Sequence, residues 1–285
     1  MATLNCIVCG NTNFNSLYND VLLKCSACGF VTANIDIKPE ALQEIYSEKY
    51  FKGEEYSDYL NDKNVLQKNF RHRLRKIKKT FPGKKMNNAM EIGCAYGFFG
   101  ETLLGNFPHG NYIGFDIAKE AISYGRNNLK LNLVDADYLS VNPPASAYSD
   151  VFMWDVIEHL EHPEQFLTKI HNELETKGRL FITTGDIDAL VPRIQKARWR
   201  MIHPPSHLHY LSKKTITALL EKKGFRVVKV AYSSVHRSIK QIFYSLFILN
   251  KKERKFLKKI YNLIPEKMSI PINTFDIMFV MAEKI

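Results

Sequence analysis

Four of the five cysteines fall into two pairs, Cys6 and Cys9 in CIVCG and Cys25 and Cys28 in CSACG. Two residues between thiolates let both sulfurs converge on one tetrahedral ion, and the fifteen residues between the pairs let the second pair close the shell. Gly10 and Gly29 follow the pairs directly, where a tight turn aims backbone N–H groups at sulfur. A redox dithiol is the competing chemistry, but it belongs inside a βαβ unit and does not come as two matched knuckles. The cysteines are therefore expected to hold structural Zn2+, and so short a segment would draw most of its folding energy from the metal. Cys94 lies apart from both pairs.

A second set of chemistry-bearing residues sits at the ends of apolar runs. EIGCAYG at 91–97 follows one such run and precedes FFGETLL, giving a strand, a glycine turn and a helix, with Gly93 and Gly97 permitting close backbone approach to a ligand. Asp116 closes the next run, GFD, where a carboxylate can accept both hydroxyls of a ribose. Asp135 or Asp137 in VDAD, at the end of the third, could accept from an adenine amino group while the backbone N–H of a neighbour such as Ala136 meets the ring. Three acidic tips in order describe a nucleoside pocket. The turn lacks GxGxxG spacing and has no P-loop lysine, which disfavours a pyrophosphate or triphosphate; a sulfonium nucleoside fits better. Glu91 would hold the turn near the amino-acid end of such a ligand, and Cys94, Ile117 and Asp155 complete the candidate contacts. Removing Asp116 is expected to weaken nucleoside binding and leave the fold intact.

Transfer of a substituent from a sulfonium would be an in-line displacement in which positive charge disappears, so proximity and alignment would dominate and the acceptor would lose a proton. WDVIEHL, just past the fourth apolar run, places Asp155, Glu158 and His159 at the mouth of the expected pocket, with His159 the best base by position. A hydrogen-bonded anchor of the following helix is the competing role for His159. IHPPSHLHY offers His203, His207 and His209 as a second base, with Trp199 and Tyr210 as aromatic walls. Each alone reads as a loop-packing residue; together they suggest a polar, aromatic acceptor pocket suited to a carbohydrate or small hydroxylated compound.

Positioning these groups requires the alternation of strand-like runs (MEIGCA, YIGFDI, LNLVDA, DVFMWDV, GRLFITT, FRVVKVAY) with helical stretches, which implies an α/β fold with a parallel sheet covered on both faces. Residues 1–36 read as a zinc ribbon and 37–85 as a helical connector, with one helix from Pro39 (PEALQEIYSEKY) and a second over about 62–80. Residues 86–285 form the nucleoside-binding domain, with a helical insertion at 238–274 before a last strand, FDIMFVMAE.

In this order and spacing, EIGCAYG, GFD, VDAD and MWDVIEHLEHPEQFL resemble the class I S-adenosylmethionine-dependent methyltransferases over about 86–235 and the final strand. The resemblance implies a Rossmann-like seven-stranded sheet of order 3-2-1-4-5-7-6, with FDIMFVMAE as its antiparallel seventh strand. The family's usual second glycine is Ala95 in this chain. The CxxCG ribbon, the connector's IYSEKYF and HPPSHLHYLSKKTI are similar to bacterial methyltransferases of saccharide and secondary-metabolite pathways. Asp155, Glu158 and His159 also resemble the acidic-acidic-histidine set that binds a divalent cation in ubiquinone-pathway O-methyltransferases. What these resemblances imply is O- or N-methylation of a small molecule, such as a sugar or glycoconjugate intermediate, with S-adenosyl-L-methionine as donor and Zn2+ only in the ribbon.

A chain of 285 residues, 45% hydrophobic and 24% charged, can bury one α/β core and carry a small appended module. No apolar run approaches the length of a spanning helix, MATLNC lacks signal-peptide order, and paired cysteines suit reducing surroundings, so a cytoplasmic location is expected. The net charge of +11 sits largely in RHRLRKIKKT at 71–80 and NKKERKFLKKI at 250–260, which read as solvated basic helix faces. The alternative reading is an RNA or protein methyltransferase whose ribbon and basic runs grip a macromolecule; against it, the ribbon lacks an aromatic and basic stripe. A non-catalytic ribbon protein is disfavoured by the intact acidic tips. The amphipathic stretch at 238–265 must turn its apolar face to the sheet, the acceptor pocket, a second subunit or a membrane surface.

Overall fold

The computed structural model describes residues 4–35, 59–142, 147–247, 255–265 and 268–285; the expected helix from Pro39 and the IYSEKYF segment lie outside these residues. The chain opens with three short antiparallel strands, β1 (Phe14–Leu17), β2 (Leu22–Cys25) and β3 (Val31–Ala33), carrying the cysteine pairs at their turns. Helix α1 (Lys63–Thr80) follows, close to its expected limits, and buries Val65, Phe70, Leu74 and Ile77 at helical spacing.

The central sheet is then laid down as β4 (Asn88–Ile92), α2 (Phe98–Asn106), β5 (Asn111–Asp116), α3 (Lys119–Leu129), β6 (Leu133–Asp135), β7 (Tyr148–Trp154), α4 (Pro163–Glu173) and β8 (Leu174–Gly185). After a short helix α5 (Leu190–Gln195), strand β9 (His209–Tyr210) and helix α6 (Lys213–Lys222), β10 (Phe225–Tyr232) forms one edge of this sheet. The insertion comprises β11 (Val235–Ser238), α7 (Ile239–Phe247), α8 (Lys255–Leu263) and β12 (Ser269–Ile272), and β13 (Ile277–Lys284) ends the chain. Strand order is β10-β13-β8-β7-β4-β5-β6, with β13 antiparallel to both neighbours. This is the expected seven-stranded order, late strand included.

Alternation along the strands divides the core between the two faces. Val151, Met153, Leu180, Ile182, Met278 and Val280 pack in one cluster with Leu167 and Ile170 of α4 and Ile216, Leu219 and Leu220 of α6. Phe152, Trp154, Phe181, Phe279 and Met281 pack in the other with Phe70, Leu74 and Ile77 of α1 and Phe98, Phe99 and Leu103 of α2. Burial on both faces is what makes these strands continuous apolar runs.

Two local features go beyond the expected elements. HPPSH at 203–207 is a loop, but just after it β9 pairs antiparallel with β3, Val31 opposite Tyr210 and Thr32 opposite His209, completing a four-stranded ribbon sheet. Cys6, Val8, Cys25 and Phe30 accordingly share the core cluster that contains α6. Likewise the insertion is not wholly helical, because β11 and β12 pair as an antiparallel ribbon that carries α7 and α8. Strands of two to four residues are too short to reveal a period.

Candidate functional site

The four ribbon sulfurs converge. Cys6 Sγ lies 3.5 Å from Cys28 Sγ, Cys9 Sγ lies 3.6 Å from Cys25 Sγ, and all four ligand atoms fall within 4.8 Å of one another. A tetrahedral ion with Zn–S bonds of about 2.3 Å separates its sulfurs by roughly 3.8 Å, whereas a disulfide needs about 2 Å. Gly10 and Gly29 adopt left-handed φ of +79° and +82° and donate to the carbonyls of Cys6 and Cys25. Further N–H groups point at sulfur, from Phe30 to Cys28 and from the Asn11 amide to Cys25. The residues fit a structural Zn2+ with all four positions taken by protein.

The second site is a cavity of about 450 Å3 at the carboxyl ends of β4, β5, β6 and β7. Of the sequence candidates, Gly93, Asp116, Ile117, Ala136, Asp155 and His159 line it, together with Asp137. Its floor is the turn after β4. Gly93 has φ of +72°, and a Cβ there would stand 2.4 Å from a Val156 methyl, so only glycine leaves the turn open. Ala95, in the place of the family's second glycine, takes φ of +46°, and its N–H donates to Asp116 Oδ2 at 2.8 Å. The other carboxylate oxygen of Asp116 accepts from Ala118 N–H at 2.9 Å. Asp116 therefore fastens the turn as well as lining the pocket, so the sequence-based view that it has no structural duty is corrected. Burial holds its pKa above the usual carboxylate range, opposed by these backbone donors.

Glu91, Cys94, Gly97 and Asp135 do not contribute to the cavity lining. The Glu91 carboxyl is buried, accepts from the Tyr112 hydroxyl and is pushed well up by desolvation. Cys94 packs under the turn against Gly114, where an added Cβ would meet its sulfur at 2.8 Å. Gly97, with φ of +79°, starts α2 against Leu131 and Leu133. At the third tip it is Asp137, capping a short 3-10 turn through Leu139 N–H at 3.0 Å, that reaches the cavity.

At the opposite end, Asp155 takes a left-handed φ of +56° and is fixed by its N–H to the Thr183 carbonyl at 3.0 Å. Its carboxylate pairs with Arg73 Nη2 at 3.2 Å. Arg73 is only 7% exposed and lies over the Trp154 ring at 4.8 Å, a cation held between an aromatic face and a carboxylate. His159 Nδ1 lies 2.8 Å from the Ser206 carbonyl, an acceptor, so this nitrogen carries the proton and Nε2 carries the lone pair. Burial lowers its pKa to about 4. Beside it the Glu158 carboxyl is buried; burial, then the charge of Asp155, raises its pKa to about 8. Glu158, His159 and His207 bring one ligand atom each within 4.8 Å of one another, whereas Asp155 is engaged by Arg73.

The remaining candidates of the 199–210 loop do not line the cavity. His207 Nδ1 is bound to the Met201 carbonyl, His209 sits against Thr32 and Phe30 of the ribbon, Trp199 donates to Asp276, and the Tyr210 hydroxyl donates to the His207 carbonyl. His203 stacks near His207 at 3.9 Å. The expected acceptor wall of histidines and aromatics is thus largely an internal scaffold. Lining residues that sequence reading missed include Tyr59, Tyr138, Glu161, His162 and Phe166; Arg73, missed too, reaches the lining residue Asp155. Glu161, His162 and Phe166 fall within the recognised MWDVIEHLEHPEQFL, but sequence alone assigns them no role there; the other three carry no local signal.

Comparison with known proteins agrees with this geometry. The methyltransferase domain family matches residues 66–230. A malonyl-[acyl-carrier protein] O-methyltransferase of Paenibacillus sp. (strain JDR-2) is 24% identical over 224 residues, covering 68% of this chain and 81% of that protein. Among solved structures, an Archaeoglobus fulgidus SAM-dependent methyltransferase superposes with a TM-score of 0.52 at 21% identity, covering 83% of this chain and 97% of that one. A chain from the Haloferax volcanii complex of the Trm112 methyltransferase activator with a candidate methyltransferase gives a TM-score of 0.58 at 12% identity, covering 87% and 99%. With its sheet order, its glycine turn and its acidic tips in place, the chain belongs to the methyltransferase domain family and is a class I S-adenosylmethionine-dependent methyltransferase.

Proposed function

We propose that this enzyme methylates an oxygen or nitrogen of a small hydroxylated acceptor, a saccharide or glycoconjugate intermediate, and that Cys6, Cys9, Cys25 and Cys28 hold one structural Zn2+. The observation that carries the reading is the single cavity running from Asp116, Ala136 and Asp137 to Asp155 and His159, which joins a nucleoside end to a transfer end. In it Gly93 and Ala95 supply close backbone, Asp116 accepts from ribose hydroxyls, and Ala136 and Asp137 meet the adenine edge. The bound donor supplies an electrophilic methyl on a sulfonium. Asp155, held in place by Arg73, lies at the end where the amino-acid portion and the acceptor meet.

His159 presents an Nε2 lone pair, and its lowered pKa keeps it neutral at ordinary pH. So weak a base is suited to accepting a hydrogen bond from an acceptor hydroxyl and holding one oxygen lone pair in line. Deprotonating the free hydroxyl beforehand demands more basicity. Instead the proton turns strongly acidic as the new O–C bond forms and the C–S bond breaks, and is lost to solvent with the product. Alignment and water exclusion by Tyr59, Trp154 and Phe166 are therefore the site's main contributions to rate.

The test is release of S-adenosylhomocysteine from the donor with nucleotide sugars, glycolipids, small amines, malonyl thioesters, RNA and protein as acceptors. Turnover with a saccharide hydroxyl or amine is expected. Turnover confined to the malonyl thioester, the class named by the Paenibacillus relative, would replace the acceptor class with a carboxylate. Turnover confined to RNA or protein would favour the macromolecular alternative.

A further inference from the structure

The insertion between β11 and β12 is not consumed by the site or the core. Between residues 238 and 265 the sequence carries seven basic residues and one acidic residue. Helix α8 meets α7 through Tyr261, whose ring lies 5.9 Å from that of Tyr244 and beneath Lys240 at 5.0 Å. Phe256 lies five residues before Tyr261, about 140° round the helix axis, and Leu263 lies two turns on from Phe256, within about 20° of it. The Phe256–Leu263 stripe therefore faces away from the helix that α8 packs against. Both side chains are bare, Phe256 at 71% and Leu263 at 81% exposure, and Lys259 stands exposed beside the stripe. Phe247 of α7 and Met268 and Ile270 around β12 are exposed apolar residues on the same insertion. Scattered single hydrophobes are ordinary on a surface, but large apolar side chains repeated on one face of a lysine-rich helix are not.

We infer that the outer face of the α7–α8 insertion docks on an anionic lipid surface, with Phe256 and Leu263 entering the headgroup boundary and Lys259 beside them meeting lipid phosphate. Charge decides between the occupants. A symmetric contact with a second copy would set this basic face against itself, and like charges opposed at close range disfavour it. An anionic bilayer satisfies both halves of the face, apolar burial and cation pairing, and both are the mark of an interfacial helix. No helix among the described residues is long and apolar enough to cross a membrane, so attachment is peripheral. The insertion is rooted on the methyltransferase body by paired bonds between Asn69 of α1 and the His236 backbone, at 3.1 and 2.6 Å, and by Lys68 to Ser269 at 2.9 Å. Arg73, one turn along α1, reaches Asp155 in the cavity, so docking places the bilayer close to the transfer end.

The experiment is co-sedimentation of the full chain with vesicles of phosphatidylcholine alone and of phosphatidylcholine mixed with phosphatidylglycerol. Binding to the mixed vesicles at low salt is expected, falling at least tenfold in 1 M NaCl, where the Debye length is about 3 Å. The double variant Phe256→Asp/Leu263→Asp should lose at least tenfold in partition. Lys259→Glu should lose roughly fivefold, in a salt-dependent way. Both variants should keep wild-type S-adenosylhomocysteine affinity and melting temperature, which separates lost docking from lost folding. Absence of binding at low salt, equal binding to uncharged vesicles, or undiminished binding by the Phe256/Leu263 variant would each overturn the inference. A dimer that the same variant dissociates, with no vesicle binding, would assign the face to a second copy instead.

Discussion

Asp116 does two jobs in one carboxylate, and substitution can separate them. Its two oxygens accept from Ala95 and Ala118 N–H at 2.8 and 2.9 Å, and the same carboxylate lines the cavity where ribose hydroxyls are expected. A hydrogen bond to a charged group contributes about 1.5–3 kcal/mol. Asp116→Ala loses both backbone bonds and leaves Ala95 in a left-handed conformation that costs roughly 1–2 kcal/mol without its anchor. A loss of about 3–5 kcal/mol of stability is expected, a fall in melting temperature on the order of 10 °C. Asp116→Asn keeps one acceptor oxygen and the side-chain shape, so its melting temperature should fall by only a few degrees, about 1–2 kcal/mol. For the ligand the order of sensitivity reverses. The amide cannot accept from both ribose hydroxyls, and losing about 2–3 kcal/mol weakens S-adenosylhomocysteine by roughly 30–150-fold. Calorimetric titration and thermal melts on both variants give the four numbers. Asn binding within threefold of wild type, about 0.7 kcal/mol, would refute the ribose assignment. An Ala variant as stable as wild type would refute the anchoring of the turn.

Three further outcomes are expected. Metal analysis should return one zinc per chain, and chelation should lower the melting temperature of the whole molecule, because Cys6, Val8, Cys25 and Phe30 belong to the same core cluster as α6; a separate ribbon transition with the main one unmoved would contradict this. His159→Gln should lower kcat by about 10–100-fold and leave the KM for donor unchanged, without a wild-type kcat limb near pH 6–7, since the group is already neutral above about 4; a larger loss with such a limb would make His159 a true proton acceptor. The third concerns acid stability. Burial lowers His159 and His209 to about 4 and His207 to about 2. Below the unfolded value of about 6.5 the unfolded chain therefore binds more protons, and stability present above that pH is lost as pH falls toward the folded values. Glu158, raised to about 8, acts in the opposite sense, its stabilisation being lost as pH rises from about 4.5 to 8. With six lowered histidines (His72, His159, His171, His207, His209 and His236) against four raised carboxyls (Glu91, Asp116, Asp150 and Glu158) among the described residues, melts should show a net fall in stability from pH 6.5 to 4.5, shallower in His209→Gln; a flat or rising profile would contradict burial of neutral histidines.

What the sequence made legible were features whose parts are close together in the chain. The cysteine knuckles, the glycine turn with its helix, and the acidic strand tips each fit within about ten residues, and alternation alone revealed the buried strands. The last strand shows in its own apolar run, but its antiparallel place in the sheet came from family resemblance, since no local pattern says where a strand inserts. Features made by distant residues were hidden. Arg73 sits 82 residues from Asp155 in a run that reads as a solvated basic face, and its burial depends on Trp154 arriving beneath it. Asp116 reads as a ligand contact because its own strand explains nothing else; its partner Ala95 lies 21 residues earlier. The same blindness made His207 and His209 look like site residues. Histidines in a proline-rich loop suggest exposure, and only the arrival of β3 and of the 158–162 turn buries them.

That burial links the ribbon to the chemistry. Thr32 and Ala33 of β3 both donate to the Leu208 carbonyl, at 3.0 and 2.8 Å, and Leu208 N–H in turn donates to the Glu158 carbonyl at 2.8 Å. Two residues earlier, the Ser206 carbonyl fixes the His159 tautomer. One loop, clamped between β3 and the turn after β7, thus carries the ribbon's position to the backbone on either side of Glu158 and His159. A cavity-lining imidazole must be held to within a fraction of an ångström for methyl transfer, and loops rarely do this unaided. Four thiolates on one ion would give the ribbon the rigidity that its few buried side chains could not supply. A metal in the ribbon would lie outside the reaction, but through this hydrogen-bond chain it would support the proposed transfer end of the cavity.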